Sequence, residues 1–577
     1  MHVRHASYVS GSLSRRHNGC EACPALAPDG NLVVGIACYG SVSGVRFRAR
    51  TGAARGNRCH HAPKTSMTTR TPESNASDST APDAAISRAL WLNTHLPSGS
   101  SYSYAKRPVH PDSRASWRLS PDPFWLPPEV GVFLERLGND LLAYYRATNA
   151  LYLASVRGTQ PRWVAEYFDL GRPDSIVDFG RLNRLRRSLP GVIRPDLFLT
   201  DEGFVATELD SVPGGIGFGA SMGRLYGRLG VSPVGGPDGM VEGFLSMVGS
   251  AAGNVDPSVA IVVSEESGDY WDEMEWLATA CRGLGASVHA VRPDAVTFRE
   301  EGIFVPDGGS PGPRDPAPVD ASAALVQVQV IYRFFELYDI KNVSKWELML
   351  YAAKKQKVVI TPPIKSYLEE KLAFALVHHP SLEKFWTSEL SPSGFDRLRA
   401  LVPQTWVLDP RPVPPHAVIS GLTVGGAPLH DWRQLHGLGQ KERRLVIKPS
   451  GFSATSWGSR GVRIGHDLPE AEWVEAVDSA LEAFPVTRHV LQRFHATKRA
   501  TVHWYDFDSR SVRPMAGRAR LTPYYFVVGD SVRLGGATAT VVPIDKKLIH
   551  GMADAVMVPC AIRQSVGVGL SQTPLRA

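Results

Sequence analysis

The sequence predicts a mixed fold, α/β in the middle of the chain and α+β on either side. Three observations carry the prediction. From Ser258 to Leu376, buried-type apolar runs alternate with helical segments, the βαβ rhythm of a parallel sheet. Before that stretch, apolar residues at helical spacing lead into a carboxylate-rich hairpin; after Phe385, strands and glycine-rich turns predominate. At 577 residues the chain is too long for one ordinary core, and about 150 residues per domain suggests three or four units.

The elements follow in order. Residues 68–83 are rich in Ser, Thr, Pro and Asp and read as a linker, with folded structure beginning near Ile86. Pro128 to Ala154 keeps apolar residues at helical spacing, and further short helices are predicted at 163–168, 179–189 and 220–229. The middle region reads as strand 259–264, helix 272–284, strand 287–291, a Gly/Pro-rich loop at 306–318, strand 325–332, helix 345–353, strand 358–361 and helix 366–376. It lacks a G-x-G-x-x-G fingerprint, so NAD or FAD is not inferred.

The richest segment for chemistry runs from Arg194 to Gly215. Apolar runs flank Asp201-Glu202-Gly203, and Gly203 suits the left-handed position of a three-residue hairpin loop. A loop symmetric about Glu202 sets Asp196 opposite Glu208 and Arg194 opposite Asp210, all on one face. Opposed like charges destabilise a strand pair, so Asp196 facing Glu208 needs a compensating cation. A hard divalent metal such as Mg²⁺ meets that need, since it is held by one or two carboxylates with nucleotide phosphates, and Arg194 could reach the same phosphates. An exposed, salt-bridged hairpin is the alternative.

Two downstream pieces matter. Arg444 to Val462 reads as a strand ending in Lys448-Pro, then a small-residue loop with Gly451, Ser453, Gly458 and Gly461; such a loop lets backbone N–H groups approach phosphate, although no Walker motif is present. An ordinary glycine-rich turn is the alternative. Val490 to Phe494 is an apolar strand interrupted by Gln492. After a hairpin over 500–513, Arg518 and Arg520 share one strand face, as orienting groups for an anion or as surface cations.

Together these residues resemble the ATP-grasp superfamily, and their order resembles its circularly permuted branch, exemplified by glutathionylspermidine synthase. Arg194-x-Asp196 and Glu208-x-Asp210 precede Lys448-Pro and Gln492, the reverse of the usual order. The middle region is similar to that branch's Rossmann-like pre-ATP-grasp domain, and the segment from Leu368 to Leu382 looks like the one that supplies a first nucleotide lysine, here Lys371. The resemblance implies Mg²⁺ on Asp196, Glu208 and Asp210, and ATP phosphates on Lys371, Lys448 and the loop. It also implies adenine beside Gln492 and Arg194 near the transferred phosphate; Arg518 and Arg520, read from their shared strand face, join Arg194 as catalytic candidates. Asp210 stands where the family has Asn, and the interval from Lys371 to Lys448 is longer than the family's.

The implied activity is ATP-dependent joining of a small-molecule carboxylate to an amine through an acylphosphate; the alternative is an inactive ATP-binding or regulatory protein of the same fold. The implied division is a leader and linker (1–85), helices with the hairpin half of ATP-grasp (86–255), the Rossmann-like domain (256–370), the nucleotide-binding half (371–560) and a flexible tail (561–577).

Composition narrows the alternatives. The net charge of +7 is matched by residues 1–66 alone, which hold nine Lys/Arg against two Asp/Glu, so the remaining 511 residues are balanced and argue against a nucleic-acid partner. No apolar run approaches the ~20 residues that span a bilayer, so no membrane partner is expected. Cys20, Cys23, Cys38 and Cys59, with His60 and His61, match no standard zinc spacing. The leader lacks the apolar segment of a secretory signal, and translation from Met67 would omit it; a cytoplasmic location is the expectation. Oligomeric state is not legible.

Overall fold

A computed structural model describes residues 80–99, 102, 117–315, 317–320, 322–414, 417–456, 458–551 and 554–563. The chain divides into two units, Met1–Ser74 and Asn75–Ala577, and the described residues all belong to the second. The leader with its cysteines and histidines, and most of the tail, lie outside the described residues.

The protein is a mixed α/β structure with several sheets. The largest has seven strands. Six follow the order Phe124–Leu126, Val556–Ile562, Ser531–Pro543, Ser511–Val528, Val192–Thr200 and Gly203–Asp210. The long Ser511–Val528 strand carries two partners along one edge: its first half pairs with Arg499–Asp506, and its second half with Val192–Thr200. Alternate side chains of that strand serve opposite faces. Tyr525 turns toward the Pro128–Val156 helix, where its hydroxyl donates to Leu134 O at 2.8 Å. Gly138 makes room, because a Cβ there would lie 2.6 Å from the Tyr525 ring. Phe526, fully buried, packs on the other face against the Gly239–Ala252 helix; burial of such a ring contributes roughly 1.5–3 kcal/mol.

The middle region holds a four-stranded parallel sheet, ordered Val359–Thr361, Val330–Phe334, Val259–Val263, Val288–Val291. In chain order that is 2-1-3-4, with a reversal between the first and third strands. Beyond it, an antiparallel sheet joins Thr405–Val407, His489–Arg493, Leu445–Pro449 and Arg463–Ile464, with the Glu470–Glu482 helix against it.

Several expectations need correction. Structure begins before Ile86: the backbone is helical over Thr80–His95, with Pro82 in the first turn, where its missing N–H costs nothing. The helix predicted at 179–189 is instead Asp174–Gly180 followed by a 3₁₀ turn at Asn183–Leu185. The predicted strand 325–332 divides at Gln329 into Leu325–Val328, in a small antiparallel sheet, and Val330–Phe334 in the parallel one. The helix predicted at 366–376 is broken into Ser366–Leu368 and Ala373–Val377. Between them Glu369 pairs with Arg333 and Glu370 with Arg172, contacts that turn both carboxylates inward. The helix Gly239–Ala252 was not anticipated.

Candidate functional site

The hairpin reaches its expected site register by a different route. Its turn has two residues, Asp201 and Glu202, and Thr200 pairs with Gly203. That register alone would set Asp196 opposite Thr207 and send Glu208 and Asp210 to the other face. A β-bulge at Ala206–Thr207 adds one residue, so Asp196 faces Glu208 and Arg194 faces Asp210. Gly203, at φ +128°, supplies the backbone conformation at the turn exit.

The crowded carboxylates are compensated by cations of the protein. Arg520 Nη1 donates to Asp196 Oδ2 at 2.8 Å, and the Arg194 guanidinium lies 3.3 Å from Asp196 and 3.1 Å from Asp210. Glu208 pairs with Lys371 at 2.7 Å. A metal is therefore not required to balance the hairpin in this conformation. Among the described residues, no three or more His, Cys, Asp or Glu are grouped so as to hold a metal by themselves.

The donor set nevertheless suits a hard cation that shares its ligands with phosphate. Asp196 is 6% exposed, and its Oδ1 has no hydrogen-bond partner. Burial opposes its ionisation, but Arg520, Arg194, Lys448 and Lys371 together hold its carboxyl below the usual range. Asp210 goes the other way, raised by burial and the nearby Glu208 against the pull of Arg194. Adjacent carboxylates thus differ in proton affinity because two arginines favour one of them.

Arg194, Asp196, Glu208, Asp210 and Arg520 line a cavity of about 650 Å³. Arg520, Thr522 and Tyr524 project from one face of the long strand, and Thr538 and Thr540 from its neighbour. Glu266 and Glu336 enter from just beyond the carboxyl ends of the first and third parallel strands. That is the point where the strand order reverses, the place where open parallel sheets bind ligands. Burial, with Glu369 and Asp210 nearby, raises Glu336 well above the ordinary carboxylate range. Glu273, also lining the cavity, caps the Ile216–Arg228 helix: its oxygens accept from Gly215 N at 2.6 Å and Phe218 N at 2.9 Å. Burial pushes Glu273 up to about 7 although both N–H groups favour its ionised form. None of these three glutamates was a sequence candidate. The reversal that brings two of them together belongs to the strand order, which the sequence does not print, and the cap is non-local.

The other candidates divide. Lys448 Nζ donates to Gln492 Oε1 at 2.8 Å and to Thr207 O of the hairpin at 3.2 Å. Burial lowers Lys448 to about 8, against the attraction of Glu208. Gln492 Nε2 donates to Thr405 at 3.3 Å, so both ends of the Gln492 amide are engaged within the protein. Lys371 also donates to Ser456 O at 2.7 Å.

In the glycine loop, Gly458 lines the large cavity, while Gly451 lines a small neighbouring one with Glu208 and Lys371. Gly451 is dictated by crowding, since a Cβ would lie 2.7 Å from Glu369 O and from the Glu370 carboxyl. Ser453 is turned to Thr455 at 3.1 Å, and Gly461 packs on Pro449. Arg518 is not among the cavity residues: its Nε donates to Ile544 O at 3.1 Å.

No protein-family model and no curated protein matches the sequence. Among solved structures, a glutathione synthetase-like effector from Globodera pallida aligns over 83% of this chain and 96% of its own, with 11% identity and a TM-score of 0.48. A protein named as a candidate gamma-glutamylcysteine synthetase, from Methylobacillus flagellatus, aligns over 68% of this chain and 84% of its own, with 12% identity and a TM-score of 0.34. At these scores neither likeness bears on the site. No helix among the described residues is long and apolar enough to cross a membrane.

Proposed function

We propose that the chain is an ATP-dependent carboxylate–amine ligase of the circularly permuted ATP-grasp type. The observation that carries this reading is the meeting of the hairpin with two lysines: Lys371 reaches Glu208, and Lys448 reaches Thr207 O, 241 residues away in sequence. Asp196, Glu208 and Asp210 would hold Mg²⁺, and Lys371, Lys448 and loop N–H groups around Gly451 and Gly458 would face the triphosphate. Bound Mg-ATP supplies an electrophilic phosphorus and a leaving group.

The chain contributes positioning and charge. Arg520 and Arg194 would orient the substrate carboxylate, whose oxygen bonds to the γ-phosphorus as the bond to ADP breaks. An amine nitrogen then attacks the acylphosphate carbonyl; phosphate leaves with the electron pair and takes up the proton that the nitrogen gives up. The Gly/Ser loop and the aromatic wall of Trp117, Phe218, Tyr270 and Tyr524 would limit access of water to that intermediate.

The test is Mg²⁺-dependent ADP release with panels of carboxylates and amines, abolished in Glu208→Gln. Undiminished turnover in that variant would overturn the metal assignment. One observation favours the second reading, a nucleotide-binding protein without turnover: Lys448 and Gln492 are satisfied by each other and by Thr405. ATP binding without ADP release across the panel would decide for it.

A further inference from the structure

A second cavity, of about 590 Å³, is lined by the Pro128–Val156 helix, the segment 186–191 and the end of the Gly239–Ala252 helix. Its polar rim is dominated by Arg146, Arg157, Arg186 and Arg187, all exposed. Arg146 pairs with the fully exposed Asp530 at 2.7 Å, a contact worth little in water. Among the described residues no carboxylate pairs with the other three. Its floor is apolar, formed by Leu142, Leu153, Met247 and Ile360. At Gly191 a Cβ would lie 2.6 Å from Met247 Sδ and 2.7 Å from Thr361 Oγ1, so the glycine permits the close approach of the floor.

The segment that carries two of the arginines is pinned from beneath. Lys365, 1% exposed, donates to Ser188 O at 2.8 Å and to Asn149 Oδ1 at 2.9 Å, and Asn149 Nδ2 donates to Arg186 O at 2.9 Å. A buried lysine and an amide thus fix the backbone of Arg186–Ser188, leaving both guanidinium groups directed by a rigid support. Like-charged side chains gathered over a shaped apolar floor are poised for a ligand of opposite charge.

We infer that this groove binds a small phosphorylated molecule: a multiply charged oxyanion, held by the arginine forks, on an apolar body that covers the floor. The cavity volume is in the range of small-molecule sites. The inference does not depend on the ligase reading, because the groove shares none of its residues.

The probe is 1-anilinonaphthalene-8-sulfonate, an anion on an apolar body, titrated into the full chain by fluorescence, with inorganic pyrophosphate as competitor. The expected result is saturable binding that weakens with salt, is displaced by pyrophosphate, and falls at least tenfold in Arg157→Glu/Arg187→Glu. Arg157→Gln/Arg187→Gln, a milder change, should fall between, with circular dichroism unchanged in both. Binding equal to wild type in the charge-reversed chain would overturn the proposal. So would association with phosphatidylglycerol vesicles in the absence of any competition by pyrophosphate, which would make the groove a lipid contact.

Discussion

Asp196 and Glu370 are both carboxylates removed from water beside arginines, and both are held below the usual carboxylate range. Their surroundings differ in one respect. Glu370 uses both oxygens: one accepts from Arg172 and Phe452 N, the other from the Ser450 hydroxyl. Asp196 uses one oxygen on Arg520, while its Oδ1 makes no hydrogen bond and meets the Arg194 guanidinium only as an ion pair at 3.3 Å, beside a large cavity. Burial of charge alone therefore does not mark function in this chain. The informative feature is a buried charge left incompletely satisfied next to open volume. Glu370 is an anchor that fixes the start of the glycine loop; Asp196 has valence to spare for a ligand.

The largest expected effect tests the anchor. Glu370→Ala strands Arg172 in the interior, and breaking a buried pair costs about 3–5 kcal/mol, read as a lowered urea midpoint at unchanged m-value. A loss below about 1 kcal/mol would show that the anchor is not structural. Asp196→Asn should invert the balance: under the proposed ligase function ADP release falls roughly a hundredfold or more, while stability falls by less than half the loss in Glu370→Ala. Equal stability losses in the two variants would erase the contrast between them.

Gly451→Ala forces a methyl against Glu369 O and the Glu370 carboxyl; overpacking of this kind costs about 1–3 kcal/mol, visible in the thermal midpoint. A neutral result would mean that the loop yields freely.

The last effect is read as a pH dependence and concerns Glu273, a third buried carboxylate. Its proton affinity is raised from an ordinary 4.5 to about 7, so the native chain retains a proton that the unfolded chain releases. Its contribution is full below pH 4.5 and is lost as pH rises through 7, with a slope of at most on the order of 1 kcal/mol per pH unit. Glu273→Gln should remove that slope from the pH dependence of unfolding; an unchanged profile would assign the titration elsewhere.

What could be read in the sequence depended on range. The parallel strands and the long helix follow local periodicity, which is printed residue by residue; the pairing of Asp196 with Glu208, expected from a three-residue loop, arises instead from a two-residue turn and a bulge, which periodicity does not encode. Lys371, chosen through a resemblance, stands against Glu208, although the helix expected around it is broken. Arg520 reached the hairpin while Arg518, two residues away on the same face, turned to a carbonyl; strand parity could not separate them. Glu273, Glu336 and the arginine groove arise from contacts between distant elements, and no window of sequence encodes them.

The bulge at Thr207 has a consequence for how this hairpin can vary. A three-residue turn with an unbroken ladder, and a two-residue turn with one bulged residue, deliver the same partners to the cavity. Turn length and strand regularity are therefore interchangeable, provided that their sum keeps the same parity. Among relatives of this chain, a gain of one residue at the tip should accompany a loss near Thr207, and a lone insertion or deletion at either place should coincide with loss of the acidic residues themselves.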